Sequence, residues 1–165
     1  MELPDVLDLP VGRLRSVEPA DWRLDHALSR VPDVPQWTYY PAEVSEAEAR
    51  ARIARSIEQR VDGRGGRFVA ELEGRPVGTI GVSVRVDGPH LYYAFLPEGR
   101  GRGLATSAVR ALTSWAVAHG APRVHARTML GNAASERVLE RSSFVPVGVE
   151  VEPGGVTLTR WVTRP

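Results

Sequence analysis

The segment that most restricts the fold runs from His90 to Ala116. His90 to Leu96 is apolar on both faces, Pro97 to Gly103 places three glycines within five positions, and Leu104, Ala108, Leu112, Trp115 and Ala116 then recur at helical spacing. A strand apolar on both sides belongs in the middle of a sheet covered on both faces, and a long amphipathic helix directly after it must lie back across that sheet. The helix is expected from Gly103 to His119, closed by Gly120 and Pro122. A layered α/β architecture follows.

The rest of the chain fits such a frame. Residues 12–18 read as a strand and Asp21 to Ser29 as a short helix, while Val31 to Pro41 holds three prolines with Trp37, Tyr39 and Tyr40 and is expected to be a loop rather than regular helix. Its aromatics would either wall a pocket or cover the edge of the core. Ser45 and Glu48 form a capping box for a helix through Gln59, with Ala49, Ile53 and Ile57 as its apolar stripe. Phe68 to Leu72 and Val77 to Val86 read as a hairpin about Glu73-Gly74-Arg75, and Asp87-Gly88-Pro89 turns the chain into the central strand. Arg123 to Met129 is a further strand, Asn132 caps a helix containing Val138 and Leu139, and Phe144 to Val151 with Val156 to Val162 close the chain as a hairpin. The order β-α-α-β-β-β-α-β-α-β-β contains no repeat and no linker, so one domain over residues 1–165 with a mixed sheet is expected.

Composition narrows the function. The chain of 165 residues has no cysteine, which removes disulfides, thiolate nucleophiles and cysteine-bound metals. Basic and acidic residues nearly cancel, 21 against 20, so no overall field attracts nucleic acid. No run is long and apolar enough to cross a bilayer, and the first residues, MELPDVLDLP, lack the basic start and apolar stretch of a secretory signal. A cytoplasmic location without membrane attachment is expected. Every basic side chain is arginine.

The loop from Leu96 to Thr106, LPEGRGRGLAT, points to a phosphate site. Glycines let successive amide groups converge, and a helix start adds unsatisfied N–H donors with partial positive charge. Arg100 and Arg102 would add charged donors. The spacing does not complete G-x-G-x-x-G, and the absence of lysine excludes the G-x-x-x-x-G-K-[ST] loop. Neither a Rossmann dinucleotide nor a P-loop nucleotide is favoured.

Arg100-Gly101-Arg102-Gly103-Leu104-Ala105 resembles the [QR]-x-x-G-x-[GA] acetyl-CoA motif of the GNAT N-acetyltransferase superfamily. Asn132-Ala133-Ala134-Ser135, followed by Val138 to Arg141 and Phe144, is similar to the N-x-x-S signature of its Rim-type branch, which acetylates ribosomal-protein N-termini and related amines. The resemblance implies a single-domain GNAT-like, acyl-CoA N-acyltransferase fold: a mixed central sheet, flanked by helices, in which two parallel strands splay. It implies acetyl-CoA as co-substrate and a primary amine as acceptor, joined by direct attack in a ternary complex. Phe95 and Leu96 would bind the pantetheine arm through main chain. The amides of Gly101, Arg102, Gly103, Leu104, Ala105 and Thr106, with Arg100, would hold the diphosphate, and Asn132 would face the coenzyme or simply cap its helix.

Direct transfer needs a base for the amine and an acid for the leaving thiolate. The acidic residue that often serves as base in this branch falls on His90, which either takes that role near neutral pH or is an exposed turn residue. Ser135 matches the serine that protonates the thiolate, whereas the tyrosine used by other relatives is replaced by Leu139. Ser143 replaces the usual glycine before Phe144 and would be strained if the turn needs positive φ. His26, His119 and His125 show no metal-ligand spacing, so no metal is expected. Two other readings remain open at this level: a catalytically silent coenzyme-A-binding module, and an interaction protein using Trp37, Tyr39 and Tyr40. A monomer and a homodimer are equally compatible with the sequence.

Overall fold

The computed structural model describes residues 2–164 and contains one sheet of eight strands in the order β1-β2-β3-β4-β5-β6-β8-β7. These are β1 (Val6–Asp8), β2 (Arg13–Ser16), β3 (Gly65–Leu72), β4 (Arg75–Arg85), β5 (Gly88–Phe95), β6 (His125–Met129), β7 (Phe144–Val151) and β8 (Thr157–Thr163). The helices are α1 (Trp22–Leu28), α2 (Asp33–Trp37), α3 (Glu46–Val61), α4 (Leu104–Ala118) and α5 (Ala133–Arg141). All pairings are antiparallel except β5 with β6, which follows from the α4 crossover between them.

That parallel pairing is short. His90 faces His125 and Leu91 faces Ala126, and beyond these two pairs the strands separate although β5 continues to Phe95 and β6 to Met129. The mixed sheet with a splayed parallel pair is therefore present.

Two apolar layers hold the helices to the sheet. On one face Phe68, Ile80, Leu91 and Phe95 pack with Leu104, Ala108, Leu112 and Ala116 of α4 and Leu139 of α5. On the other, Val69 and Ala94 pack with Leu24, Leu28 and Val34, and with Ile57 of α3. Residues directly opposite in an antiparallel pair share a face. Arg67, Gly81 and Tyr92 form one such row and Gly65, Ser83 and His90 another, so His90 belongs to the face covered by α1 and α3. Tyr93, opposite Ile80, belongs to the face covered by α4 and α5.

The segment read as a loop contains a helix, α2, with Pro35 in its first turn, where a missing N–H costs no intrahelical bond. Strand β1 was not expected; it is a three-residue edge strand held by β2. The Ser45–Glu48 capping box is formed in both directions, at 3.2 and 2.7 Å. Among the described residues no helix is long and apolar enough to cross a membrane.

Ser143 has φ 65° in the turn after α5, the left-handed conformation its position demanded. A side chain there costs roughly 1 kcal/mol, and glycine's larger unfolded-state entropy offsets part of the relief. Ser143→Gly is expected to raise stability by about 0.5 kcal/mol or slightly more, read as a higher urea midpoint at unchanged slope; a lower midpoint would contradict the strain.

Candidate active site

The loop between β5 and α4 divides its labour among its glycines. A Cβ on Gly99 would lie 2.9 Å from Val77, so this glycine serves the packing of the loop on β4. Gly101 (φ 74°) and Gly103 (φ 82°) have nothing within 4 Å of where a Cβ would stand, and both line a cleft. The first helical bond is from Ser107 N–H to the Gly103 carbonyl. Among the described residues, none of the amides from Gly101 to Thr106 donates to a carbonyl. An arc of free donors at the start of α4 is thus presented to the cleft, a fit for a dianionic phosphate chain.

Several expected contacts lie elsewhere. The Arg100 guanidinium donates to the Phe95 carbonyl (3.0 and 2.8 Å) and to Asp33 (2.6 and 2.9 Å). It therefore ties the loop to α2, holding the Asp33 carboxyl below its ordinary range, and it occupies the Phe95 carbonyl expected for pantetheine. Leu96 donates its N–H to Val77 at 2.8 Å, accepts at its carbonyl from Gly99 at 2.9 Å, and packs in the α1 layer rather than lining the cleft. Arg102 points away, pairing with Glu73 in the β3–β4 turn at 2.8 Å. Phe95 lines the cleft, as do Leu104, Ala105 and Thr106. Asn132 both caps α5, accepting from Ser135 N–H at 3.2 Å, and lines the cleft.

The cleft has a volume of about 960 Å³ and passes between β5 and β6, lined by His90 and Tyr92 from one face of the sheet and by Tyr93 and Ser135 from the other. His90 is buried, 7% exposed, rather than an exposed turn residue. Its Nε2 lies 2.8 Å from the Asp87 carboxylate, and its buried Nδ1 has no partner among the described residues. Burial pushes its pKa below the ordinary 6.5, partly opposed by the hydrogen bond to Asp87. The carboxylate selects the tautomer with hydrogen on Nε2, which leaves the Nδ1 lone pair free to accept a proton.

On the opposite face the Tyr93 hydroxyl is 2.6 Å from Ser135 Oγ. Burial pushes the Tyr93 pKa up to about 12, so the phenol keeps its proton at neutral pH and the pair retains two hydroxyl protons. Neither partner residue, Asp87 or Tyr93, was singled out from sequence. Asp87 could have been noticed three positions before His90; Tyr93 is hidden in an apolar run whose facing only the sheet register defines.

The parallel register also gathers histidines that are far apart in sequence. His90 and His125 stack with centroids 4.9 Å apart, and ligand atoms of Asp87, His90 and His125 lie within 4.8 Å of one another, a grouping the spacing gave no sign of. There His125 Nε2 is 3.0 Å from the Asp87 carbonyl and His90 Nε2 bonds the Asp87 side chain, while His90 Nδ1 is left without a partner among the described residues. Trp37, Tyr39 and Tyr40 all line the cleft, which joins the two earlier readings, since Tyr40 also packs against the α1 layer and donates its hydroxyl to the buried Asp25.

Residues 13–145 match the profile of the Acetyltransferase (GNAT) domain, most of the chain, and the protein belongs to this family of N-acetyltransferases. No curated protein sequence matches the chain. Among solved structures, RimL, a ribosomal α-N-protein acetyltransferase in complex with coenzyme A, superposes with a TM-score of 0.84 at 15% identity, covering 94% of this chain and 97% of that one. An acetyltransferase from Salmonella typhimurium that modifies the N-terminal serine of a 50S ribosomal subunit protein gives 0.85 at 14% identity, covering 97% and 99%. RimJ of Mycobacterium smegmatis, in complex with a coenzyme A disulfide, gives 0.78 at 21% identity, covering 98% and 88%. At these identities the likeness establishes the fold.

With His90 as the proton acceptor, the sign of its shift would set the pH response. A pKa lowered from 6.5 keeps His90 neutral down to that lower value, and protonation below it removes the acceptor lone pair. The kcat profile is expected to fall on the acid side with a midpoint below 6.5. Asp87→Ala removes the bond that raises the pKa and fixes the tautomer, so the acid limb should move to still lower pH while the plateau drops at least about tenfold. An unmoved limb would deny His90 this role.

Proposed function

We propose that the protein transfers the acetyl group of acetyl-CoA to a primary amine, by direct attack within a ternary complex. The observation that carries this reading is the arc of unpaired amides from Gly101 to Thr106 opening into a cleft that crosses the sheet at the β5–β6 gap. The residues present fit the co-substrate. Amides of residues 101–106 would hold the diphosphate, the separated strands would take the pantetheine arm, and Arg137 and Arg141, which line the cleft from α5, would offer charge to further phosphate.

The two hydrogen-bonded pairs supply the chemistry. His90 Nδ1 accepts the proton that the amine loses as its nitrogen bonds to the thioester carbonyl carbon. Asp87 acts as a positioning residue, holding the other ring nitrogen. As the carbon–sulfur bond breaks, Ser135 Oγ–H protonates the thiolate, and the Tyr93 hydroxyl at 2.6 Å can restore that proton. An α-amino group, with an ordinary pKa of about 8, asks less of a neutral histidine than a lysine amine at about 10.4, so N-termini and weakly basic small amines suit this site. The silent-module reading was kept open by the absent acid at position 90 and the absent tyrosine at position 139; the Asp87–His90 and Tyr93–Ser135 pairs furnish substitutes for both.

Gly103→Asp tests the coenzyme placement. Aspartate tolerates the left-handed conformation better than most residues and meets no atoms there, so the fold should persist while its carboxylate opposes the diphosphate. Coenzyme A affinity is expected to fall roughly tenfold or more, with Gly103→Asn, equally strained and uncharged, losing much less. Equal affinities by calorimetry would refute the placement. Tyr93→Phe is expected to lower kcat several-fold at unchanged KM for acetyl-CoA, since only the hydroxyl pair is disturbed; an unchanged kcat would remove Tyr93 from the proton path.

A further inference from the structure

The part of the cleft remote from the glycine loop has a wall of one sign. α3 turns Arg52, Arg55, Ser56 and Gln59 toward it, the i, i+3, i+4, i+7 face of the helix. At the far ends of the strands, Ser83 lies opposite His90 and Arg85 opposite Gly88, which makes Arg85 the diagonal neighbour of His90, a Cα separation on the order of 7–8 Å. Arg64 is fixed at the same end by the bond from Val84 N–H to its carbonyl, 3.1 Å.

The carboxylates near this wall are already committed. Asp25, wholly buried, is shared by Arg52, whose Nε is 2.7 Å from it, and by Arg67 and the Tyr40 hydroxyl. Two arginines on one carboxylate leave an excess positive charge. Asp33 is held by Arg100, Glu152 by Arg127 and Tyr39, and Asp87 by His90. Arg55 and Arg85 have no carboxylate partner among the described residues, and Arg64 has only an exposed pair with Asp62. Ser56 adds an independent sign of a missing ligand: the residue lines the cleft, and its buried Oγ has no hydrogen-bond partner among the described residues.

We propose that the amine acceptor carries its own anionic group, a carboxylate or phosphate, which Arg55 and Arg85 bind while the amine faces His90. This rests on the acetyl-transfer reading above and narrows its acceptor. Guanidinium forks match carboxylate and phosphate oxygens, and the same field disfavours polycationic amines. It also favours loss of the proton from the acceptor's ammonium, which helps a histidine of low basicity.

The test uses two matched pairs of acceptors: phosphoethanolamine with ethanolamine, and a tetrapeptide bearing aspartate at its second and third positions with its asparagine counterpart. Thiol release from acetyl-CoA gives kcat/KM for each, and calorimetry gives the binding of the same compounds to coenzyme-A-loaded protein. In at least one pair the anionic member is expected to lead by about tenfold or more, chiefly through KM, with the advantage shrinking as salt is added. Which pair responds separates a small metabolite from an acidic peptide. The double variant Arg55→Gln, Arg85→Gln should bring that ratio toward one while the coenzyme A dissociation constant stays unchanged. Neutral members used or bound as well as anionic ones in both pairs, or a ratio that survives the double variant, overturns the proposal. If coenzyme A itself fails to bind, the acetyl-transfer reading falls instead, and the anion preference is decided by calorimetry of the same four compounds on the protein alone.

Discussion

Everything distinctive in this molecule depends on how little β5 and β6 pair. Two residue pairs, His90 with His125 and Leu91 with Ala126, hold the strands together before they diverge. A sheet normally spends its backbone donors and acceptors on neighbouring strands, and an interruption in its middle is costly unless something else uses those groups. Here the interruption opens a passage across the sheet, with α4 beginning at one end of it. The helix start and the strand gap are products of the same crossover, so the free amides of the loop and the channel beside them are built together.

The passage also explains why the His90 and Ser135 pairs stand on opposite faces. Alternation along β5 sends His90 toward α1 and α3 and Tyr93 toward α4 and α5. A thioester lying in the gap would be reached by an amine from one side and would release its thiolate toward the other. Each of these side chains has a single hydrogen-bonding side-chain neighbour, Asp87 for His90 and Tyr93 for Ser135.

What the sequence disclosed and what it withheld follow from range. The β5–loop–α4 unit was legible because periodicity, glycines and helix stops all act within about twenty residues. The capping box at Ser45 and the strained turn at Ser143 were legible for the same reason. The destination of Arg100 was not, because its carboxylate, Asp33, is 67 positions away. Nor was the Asp87–His90–His125 grouping, which exists only through the register of a parallel pair. Helix α2 was concealed by prolines that mark loops on average yet are harmless in a first turn, and β1 is too short to show a period.

The exclusive use of arginine has a chemical corollary for a protein whose co-substrate is a reactive thioester. An ammonium side chain, once deprotonated, is itself an acyl acceptor, and a lysine placed where Arg55 or Arg85 stands would compete with the intended nucleophile and be capped by its own reagent. Guanidinium stays protonated at any physiological pH and is a poor nucleophile. With no lysine among its 21 basic residues, the chain can surround the thioester with positive charge and offer it no side-chain amine to modify.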